Sequence, residues 1–219
     1  KNNIIDKQLT NETSIGISNP DFERVTFLGN VEYYSISPDG NFFVYYTISD
    51  SKYSLFVQDI NTLNELEEFI KNFSNCALKQ KAIQTVFSDG NPSANIMLIG
   101  EAPGAEEDKL GKPFVGRAGK LLDKMLSAIK LNRNTVYITN VIPWRPPNNR
   151  EPSTEEILQC LPIIQKHIEI IKPSILVLLG GTASKAILAT NLGIIKLRGT
   201  WHTYNSLKLN NPIPTRAIF

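Results

Sequence analysis

The residues best equipped for chemistry lie in one stretch, Asn95 to Leu126, in which polar loops follow an apolar run. The apolar run is typical of a buried strand and stops at Gly100. Ligands of open α/β sheets bind at the carboxyl ends of strands, and glycine turns and helix N-termini offer free N–H groups to anions. The sequence therefore predicts a ligand site here, with Phe114 as either a core residue or a platform for a stacked base. The candidate polar residues and glycines are Glu101, Glu106, Glu107, Asp108, Gly116 and Gly119. The four acidic residues alone would more often form a solvated face or the first-turn charges of a helix.

A second candidate is Asn140, which ends another apolar run, Val136 to Asn140. A buried amide needs partners on both its oxygen and its nitrogen. A planar ligand with an adjacent donor and acceptor would supply them, and so would the backbone of a neighbouring loop. The loop that follows is rich in proline and carries Arg145 and Arg150, which fits either a rigid surface turn or a phosphate contact.

Strands that alternate with helices must position these residues. The alternation predicts an α/β fold with three layers, in which a four-stranded parallel sheet is flanked by helices. The helix after the glycines has a predicted apolar face of Ala118, Leu121, Leu122, Met125 and Ile129. The predicted strands are Ile96–Gly100, Val136–Asn140, Ile175–Gly180 and Thr215–Phe219, and the predicted helices are Gly116–Ile129, Ser153–Ile171 and Thr182–Thr190.

Residues 1–60 are predicted to be an N-terminal extension, and residues 61–219 the main domain. Residues 1–20 are polar and rich in asparagine, so we expect them to be disordered. Segments rich in β-branched and aromatic residues then predict a β-meander, to which we assign no function. These segments are Val31–Ile36, Asn41–Ile48 and Tyr53–Asp59. The main domain begins with a capping box at Thr62 to Glu65, which predicts a helix.

Composition excludes several classes of protein. The net charge of the 219 residues is +2, which gives no overall preference for nucleic acid. No apolar run approaches the roughly 20 residues that span a bilayer, and no signal-peptide pattern opens the chain. Two cysteines argue against a disulfide scaffold and fit a reducing cytosol. His167 and His202 lack ligand-like spacing, and Gly100–Gly104 lacks the ending of a P-loop, so we expect structural histidines and no metal site.

Four segments together resemble the family 4 uracil-DNA glycosylases, the iron–sulfur type of bacteria and archaea. They are GEAPGAEEDKLGKPFVGRAGKLLD, YITNVIPWRPPNNREPSTEEI, ILVLLGGTASKAIL and LRGTWH. The resemblance runs from about Thr62 to Phe219, and long strings in this order are specific, whereas a single five-residue piece would be weak. It implies the fold that the strand–helix alternation predicts. The short segment Pro147 to Pro152 argues against the uracil-crosslinking branch, which carries a basic, histidine-containing insertion there.

The resemblance implies a uracil pocket in two halves. Phe114 would stack on the flipped base, and Asn140 would hydrogen-bond to its amide edge and exclude cytosine. Glu101 and Glu107 match the acidic positions of the first motif and would place or polarise the attacking water. The implied uracil-bordering backbone is that of Glu101, Ala102 and Gly104, and the implied DNA-phosphate residues are Gly116, Arg117, Ala118, Gly119 and Arg145.

Departures from the family affect the catalytic groups. Ala102 occupies the position of the water-activating Asp of family 1, so the role falls on Glu101 or Glu107. The chain starts at Lys1 and stops in a strand-like run at Phe219, so we expect truncation at both ends. The closing motif, HPSYLL or similar, would begin with a catalytic histidine directly after Phe219, and the 219 residues are expected to lack it.

A further departure affects the cofactor. An iron–sulfur cluster needs four cysteine ligands, and Cys76 and Cys160 match two of the family's four. Phe73 and Trp144 occupy the other two positions, and neither can bind iron. We therefore expect no cluster and no other cofactor, with the packing of the two aromatic rings in its place.

The implied function is uracil-DNA glycosylase activity: base flipping and hydrolysis of the N-glycosidic bond of uracil in DNA, which starts base-excision repair. We expect a monomer in the bacterial cytoplasm that acts on uracil-containing DNA without membrane contact. The alternative is a catalytically impaired DNA- or uracil-binding module or a decayed, truncated glycosylase, which the missing histidine and cluster ligands motivate. A nucleotide-binding enzyme of another class would need a phosphate motif or metal ligands that we do not find.

Overall fold

A computed structural model describes residues 33–36, 42–49, 52–73, 76–206 and 209–218, and for residues 33–59 it describes the backbone alone. The chain divides into two compact units, Lys1–Glu65 and Leu66–Phe219. The disorder predicted for residues 1–20, residues 31, 32 and 41 of the predicted meander, and the strand end at Phe219 lie outside the described residues. The domain boundary predicted after residue 60 stays a prediction.

The first unit contains the predicted β-meander. Strands β1 (Tyr33–Ile36), β2 (Phe42–Ser49) and β3 (Lys52–Asp59) form an antiparallel sheet in that order. Helix α1 (Leu63–Asn72) begins with the predicted capping box. The Glu65 N–H donates to Thr62 Oγ1 at 3.2 Å, and the Glu65 carboxylate accepts the Thr62 N–H at 2.9 Å. Both groups satisfy donors that the first turn of a helix leaves free.

The second unit is built on a mixed sheet of six strands, two more than we predicted. Its strands are β4 (Asp89–Gly90), β5 (Ile96–Gly100), β6 (Tyr137–Asn140), β7 (Ile175–Leu179), β8 (Trp201–Tyr204) and β9 (Ile213–Ile218). The order across the sheet is β4-β6-β5-β7-β9-β8. The four predicted strands form the parallel centre, and β4 and β8 add antiparallel edges. The edge strands escaped prediction because two or four residues are too short for a clear alternation.

Helices connect the parallel strands. They are α2 (Ala105–Leu110), α3 (Arg117–Ala128), α4 (Thr154–Ile171), α5 (Gly181–Leu188) and α6 (Ile194–Leu197), with short 3-10 helices at Arg133–Thr135 and Pro147–Asn149. The sequence pattern did not predict α2, because its six residues carry no apolar face. None of the described helices is both long enough and apolar enough to cross a membrane.

The two faces of the sheet are covered by different helices. Leu122 and Leu126 of α3 pack in one core cluster with residues of β5 and β6, including Ile138. Adjacent strand residues point to opposite faces, so Tyr137 points away from this cluster. Its hydroxyl lies 3.0 Å from Nδ1 of His167 in α4, which places α4 on the opposite face. The predicted α/β architecture with flanking helices is therefore confirmed.

The predicted apolar face of α3 is only partly right. Leu122 is buried as predicted, but Leu121, Met125 and Ile129 are exposed. The helix offers two apolar stripes about one residue apart, and the buried stripe is Gly119, Leu122 and Leu126. The choice between the stripes depends on the angle at which α3 meets the sheet, which local periodicity does not encode.

Candidate active site

The two halves of the predicted pocket meet at the carboxyl ends of β5 and β6. The parallel register makes Gly100 the partner of Asn140. The pairing continues beyond the strands, because the Val141 N–H donates to the Gly100 carbonyl at 2.9 Å and the Ile142 N–H to the Glu101 carbonyl at 3.0 Å. The loops that leave the two strands therefore start from fixed, adjacent positions.

The side chains of Phe114 and Asn140, which were predicted to bind uracil, both come close to Gly100. A Cβ at Gly100 would lie 2.4 Å from Asn140 Oδ1 and 2.5 Å from Phe114 Cζ. Both distances are far below any normal carbon contact, so only glycine permits the ring and the amide to approach this point together. From the sequence, Gly100 was predicted only to end a strand. Its position directly before Glu101 was the only local signal of a role in the pocket.

Asn140 is largely buried, with 5% of the residue exposed. Among residues 60–73, 76–206 and 209–218, no hydrogen bond to its side-chain oxygen or nitrogen is found. The backbone contact that would have made Asn140 a purely structural residue is therefore not formed with the described loops. No buried side-chain nitrogen or oxygen atom of the described residues lacks a hydrogen-bond partner, so the unpartnered amide atoms of Asn140 belong to its small exposed part. An accessible amide with a free donor and a free acceptor is suited to a planar ligand with the complementary pair.

Phe114 is held in an unusual backbone conformation. Its φ is +55°, in the left-handed region that side chains other than glycine rarely adopt. Its backbone lies against Gly119, where a Cβ would come within 1.7 Å of the Phe114 carbonyl oxygen. Gly119 is therefore needed for the position of Phe114, and the ring itself is half-buried beside Gly100.

The Glu107 carboxylate holds two loops together. Its Oε2 accepts the Gly104 N–H at 3.1 Å, and its Oε1 accepts the N–H groups of Val115 and Gly116 at 3.0 and 2.8 Å. The negative charge also lies at the N-terminal turn of α2, where the helix dipole stabilises it. Neighbouring Asp108 is buried and accepts the N–H of Ile83 at 2.9 Å, so it too organises the backbone.

Glu101 lies in a different environment. Thr182 Oγ1 donates a hydrogen bond to Glu101 Oε2, which ties the loop after β5 to the first turn of α5. No hydrogen bond of the described residues involves Glu101 Oε1. Glu101 and the next residue, Ala102, are half-buried, whereas Pro103 is buried. Glu101 is therefore an oriented carboxylate with one oxygen available at the strand end.

The first turn of α3 offers N–H groups to an anion. The Gly116 N–H is already bonded to Glu107, so the available donors are those of Arg117, Ala118 and Gly119, which have no partner within the helix. A shallow groove beside this turn is lined by Gly116, Arg117 and two lysines, Lys120 and Lys124. Arg145 is not part of this arrangement in the described chain: its Nε donates to Asn149 Oδ1 at 2.7 Å within its own loop.

The cysteines and rings that match the cluster positions form a packed core. The rings of Phe73 and Trp144 stack with centroids 5.8 Å apart and planes 7° from parallel. Cys160 and Cys76 are buried and hydrogen-bonded to each other. This bond and burial raise the pKa of Cys160 well above its ordinary value, whereas accepting the bond lowers the pKa of Cys76. Two thiols that share one hydrogen bond beside stacked rings do not fit a four-thiolate cluster.

Other metal sites are not apparent in the described chain. Among the residues that the structure describes, no group of three or more histidine, cysteine and acidic side chains could hold a metal ion. His202 lies in β8, and its Nε2 is 2.9 Å from the Leu197 carbonyl oxygen. Burial lowers the pKa of His167 to about 3, so this histidine is neutral at physiological pH. The structural role expected for both histidines stays a prediction.

The fold and this strand-end site define a class of protein, and comparison with known families agrees. The sequence model of the Uracil DNA glycosylase superfamily matches residues 87–217, so the chain belongs to this superfamily. The chain is 43% identical over 140 residues to the Type-4 uracil-DNA glycosylase of Pyrobaculum aerophilum, a match that covers 61% of this chain and 71% of the relative.

Two further relatives carry the same name. The chain is 46% identical over 129 residues to the Type-4 uracil-DNA glycosylase of Sulfurisphaera tokodaii, with 58% of this chain and 59% of the relative covered. It is 43% identical over 135 residues to that of Thermotoga maritima, with 61% and 70% covered. The chain thus spans between about three fifths and seven tenths of these relatives. The predicted resemblance to family 4 is confirmed.

Proposed function

We propose that this protein removes uracil from DNA by hydrolysing its N-glycosidic bond. The observation that carries the proposal is the side-chain amide of Asn140, a largely buried residue: the amide has no hydrogen-bond partner among the described residues and, like the Phe114 ring, it closely approaches Gly100. The family membership and the names of the relatives support the same activity. A base must leave the helical stack to enter a site of this kind.

Asn140 and Phe114 provide selection and binding in this proposal. The Asn140 NH2 group donates to a carbonyl of uracil, and its Oδ1 accepts the adjacent ring N–H. Cytosine presents an amino group and an unprotonated nitrogen at the same edge, so both contacts would become repulsive or unpaired. Phe114 stacks on the face of the flipped base, a contact that any base can make, so that Asn140 alone supplies the discrimination.

Glu101 is the better candidate of the two carboxylates for placing the attacking water. Glu107 uses both of its oxygens to accept three backbone N–H groups, which leaves it little capacity for a further ligand. Glu101 is oriented by Thr182 through one oxygen, and its second oxygen can accept a hydrogen bond from water. A carboxylate there also stabilises the positive charge that develops on the sugar as the base departs as an anion.

The first turn of α3 binds a DNA phosphate in this proposal. The N–H groups of Arg117, Ala118 and Gly119 combine with the positive end of the helix dipole. The exposed Lys120 and Lys124 extend the positive charge along the same groove. Arg145 uses its Nε–H for the bond to Asn149, which leaves its Nη–H groups as donors for a DNA phosphate.

The chemistry needs no metal, and we propose that the protein works without an iron–sulfur cluster. The stacked rings of Phe73 and Trp144 and the paired thiols of Cys76 and Cys160 fill the region where the family would bind one. We further propose that the protein acts as a cytoplasmic monomer. Free, buried cysteines are compatible with that compartment.

The test is release of uracil from an oligonucleotide that contains a single uracil, with alkaline cleavage of the abasic product as the readout. We expect the purified protein to form abasic product and Asn140→Ala to lower the rate by about 100-fold or more, since one lost transition-state contact has that effect. Asn134→Ala, which removes an exposed asparagine, is the matched control. DNA binding without abasic product would instead indicate a binding module, and an unchanged rate in Asn140→Ala would refute the proposed pocket.

A further inference from the structure

The uracil platform requires a backbone conformation that its own sequence does not favour. Phe114 has φ +55°, and a phenylalanine has no local reason to adopt the left-handed region. Such conformations persist only where the surrounding structure imposes them, and they occur often at functional sites. If the turn at Pro113 and Phe114 adopted a more common backbone conformation, the Phe114 ring would move away from Gly100.

Arg133 is the group that holds this turn. Its Nη1 donates to the Pro113 carbonyl at 3.1 Å, and its Nη2 donates to the Phe114 carbonyl. A planar guanidinium can bind two successive carbonyls in this way, whereas a lysine ammonium cannot match the geometry. The Phe114 carbonyl thus lies between Arg133 on one side and Gly119 on the other.

Arg133 is itself fixed by two carboxylates from separate elements. Its Nη1 is 2.7 Å from Asp89 Oδ2 in β4, and its Nε is 2.8 Å from Asp123 Oδ1 in α3. Its side chain is 23% exposed, so these bonds are only partly screened by water. Four hydrogen bonds from one guanidinium therefore lock the loop before α3 to the edge of the sheet.

We infer that Arg133 is a positioning residue of the proposed glycosylase: it presents Phe114 to the flipped uracil without touching DNA or base. The role of Arg133 in uracil release rests on the proposed function, whereas its role in positioning the Phe114 ring does not. Arg133 contacts the backbone carbonyls of Pro113 and Phe114, so its loss removes the group that orients the Phe114 ring without removing the ring. A residue that only stabilised the fold would act independently of Phe114.

The first test is a double-mutant cycle on the single-turnover rate of uracil release at saturating enzyme. Arg133→Gln is expected to lower the rate on the order of 100-fold, as displacement of a positioned group by about 1 Å can do. Arg133→Lys should lose roughly tenfold, because it restores one donor and the charge. In the Phe114→Ala background, Arg133→Gln should cost less than about twofold, since both changes remove the same contact.

Arg216→Gln is the matched control, because Arg216 is another half-buried arginine and stacks on Trp201 in the edge of the sheet. It should leave the rate unchanged. Equal losses from Arg133→Gln with and without Phe114 would overturn the inference, and so would a folded Arg133→Gln variant with the rate of the parent. If Arg133→Gln does not fold, the same cycle is run with Arg133→Lys.

The second test does not depend on activity. Phe114→4-fluorophenylalanine, introduced at that site alone, gives one fluorine resonance that reports the environment of the ring. We expect a single line that shifts or splits in Arg133→Gln and stays in place in Arg216→Gln. An unchanged line in Arg133→Gln would overturn the inference even if uracil release were confirmed. A shifted line in a protein that releases no uracil would uphold the positioning role while the proposed function failed.

Discussion

Phe114 and Asn140 both approach Gly100, and each has an atom within 2.5 Å of the point where a Cβ at that residue would stand. One side chain comes from the loop before α3 and the other from the end of β6. Their meeting depends on the parallel register that pairs Gly100 with Asn140. This three-residue arrangement is the centre of the proposed site, and its tightness can be tested directly.

Gly100→Ala is expected to lower uracil release on the order of 100-fold, because the added methyl group would displace both the ring and the amide. Gly193→Ala is a matched control: a Cβ at Gly193 meets nothing within 4 Å. Single-turnover rates of both variants, with thermal unfolding measured in parallel, check the prediction. Normal activity in a folded Gly100→Ala protein would show that the two side chains do not act together.

Glu107→Gln should destabilise the protein by about 1–3 kcal/mol, because the amide places an N–H group against backbone donors that now bind a carboxylate. Urea unfolding measures this loss. Activity should fall with it, since Glu107 holds the loops on both sides of the site. A free energy of unfolding equal to that of the parent would argue against this structural role and for a role in catalysis.

Glu101→Gln should show the opposite pattern. We expect the rate of uracil release to fall by about 100-fold or more, as for loss of a general base, with little change in the melting temperature. Thr182→Val should give a smaller loss in rate, because Glu101 keeps its charge but loses its orienting hydrogen bond. The exposed Glu151→Gln is the control. A large fall in stability without a fall in rate would contradict the assignment.

The stacked rings should stabilise the fold in place of a cluster. Trp144 is fully buried, stacks on Phe73 and donates its indole N–H to Thr85 at 3.0 Å. Trp144→Ala should cost about 3–5 kcal/mol of unfolding free energy, whereas Trp201→Ala, at a residue that is 60% exposed, should cost far less. The purified protein should contain no stoichiometric iron. An iron content near the roughly four atoms of a cubane would overturn the cluster-free proposal.

His167 should make stability depend on pH. Burial lowers its pKa to about 3 in the folded protein, against about 6.5 when unfolded. Between these values the unfolded chain binds a proton that the folded chain does not, so the free energy of unfolding rises with pH. Its contribution is complete well above pH 6.5, and lowering the pH from 8 to about 4.5 should lower the free energy of unfolding by about 3 kcal/mol.

Urea titrations from pH 4.5 to 8 check the His167 prediction, with His167→Gln as the comparison because it cannot titrate. The difference in unfolding free energy between the two proteins should shrink as the pH falls. A constant difference across this range would show that His167 is protonated equally in both states.

Local sequence patterns were sufficient to predict much of the secondary structure of this protein. The central strands, the capping box at Thr62 and the helices α3, α4 and α5 follow from apolar periodicity and capping residues, which act within one or two turns of chain. The placement of Glu101 and Asn140 at strand ends follows from the same signals. The family resemblance then implied what these residues contact: the attacking water for Glu101 and the amide edge of uracil for Asn140.

Only the tertiary structure decided how the candidates divide their roles. Glu101 and Glu107 look alike in sequence, but one is oriented by Thr182 and the other is occupied by backbone N–H groups of two loops. Three further features could not be predicted from the sequence. They are the choice of the buried stripe of α3, the need for glycine at position 100, and the hydrogen bonds by which Arg133 holds Phe114. Each depends on groups brought together across long stretches of chain by strand register and helix packing, which no local pattern records.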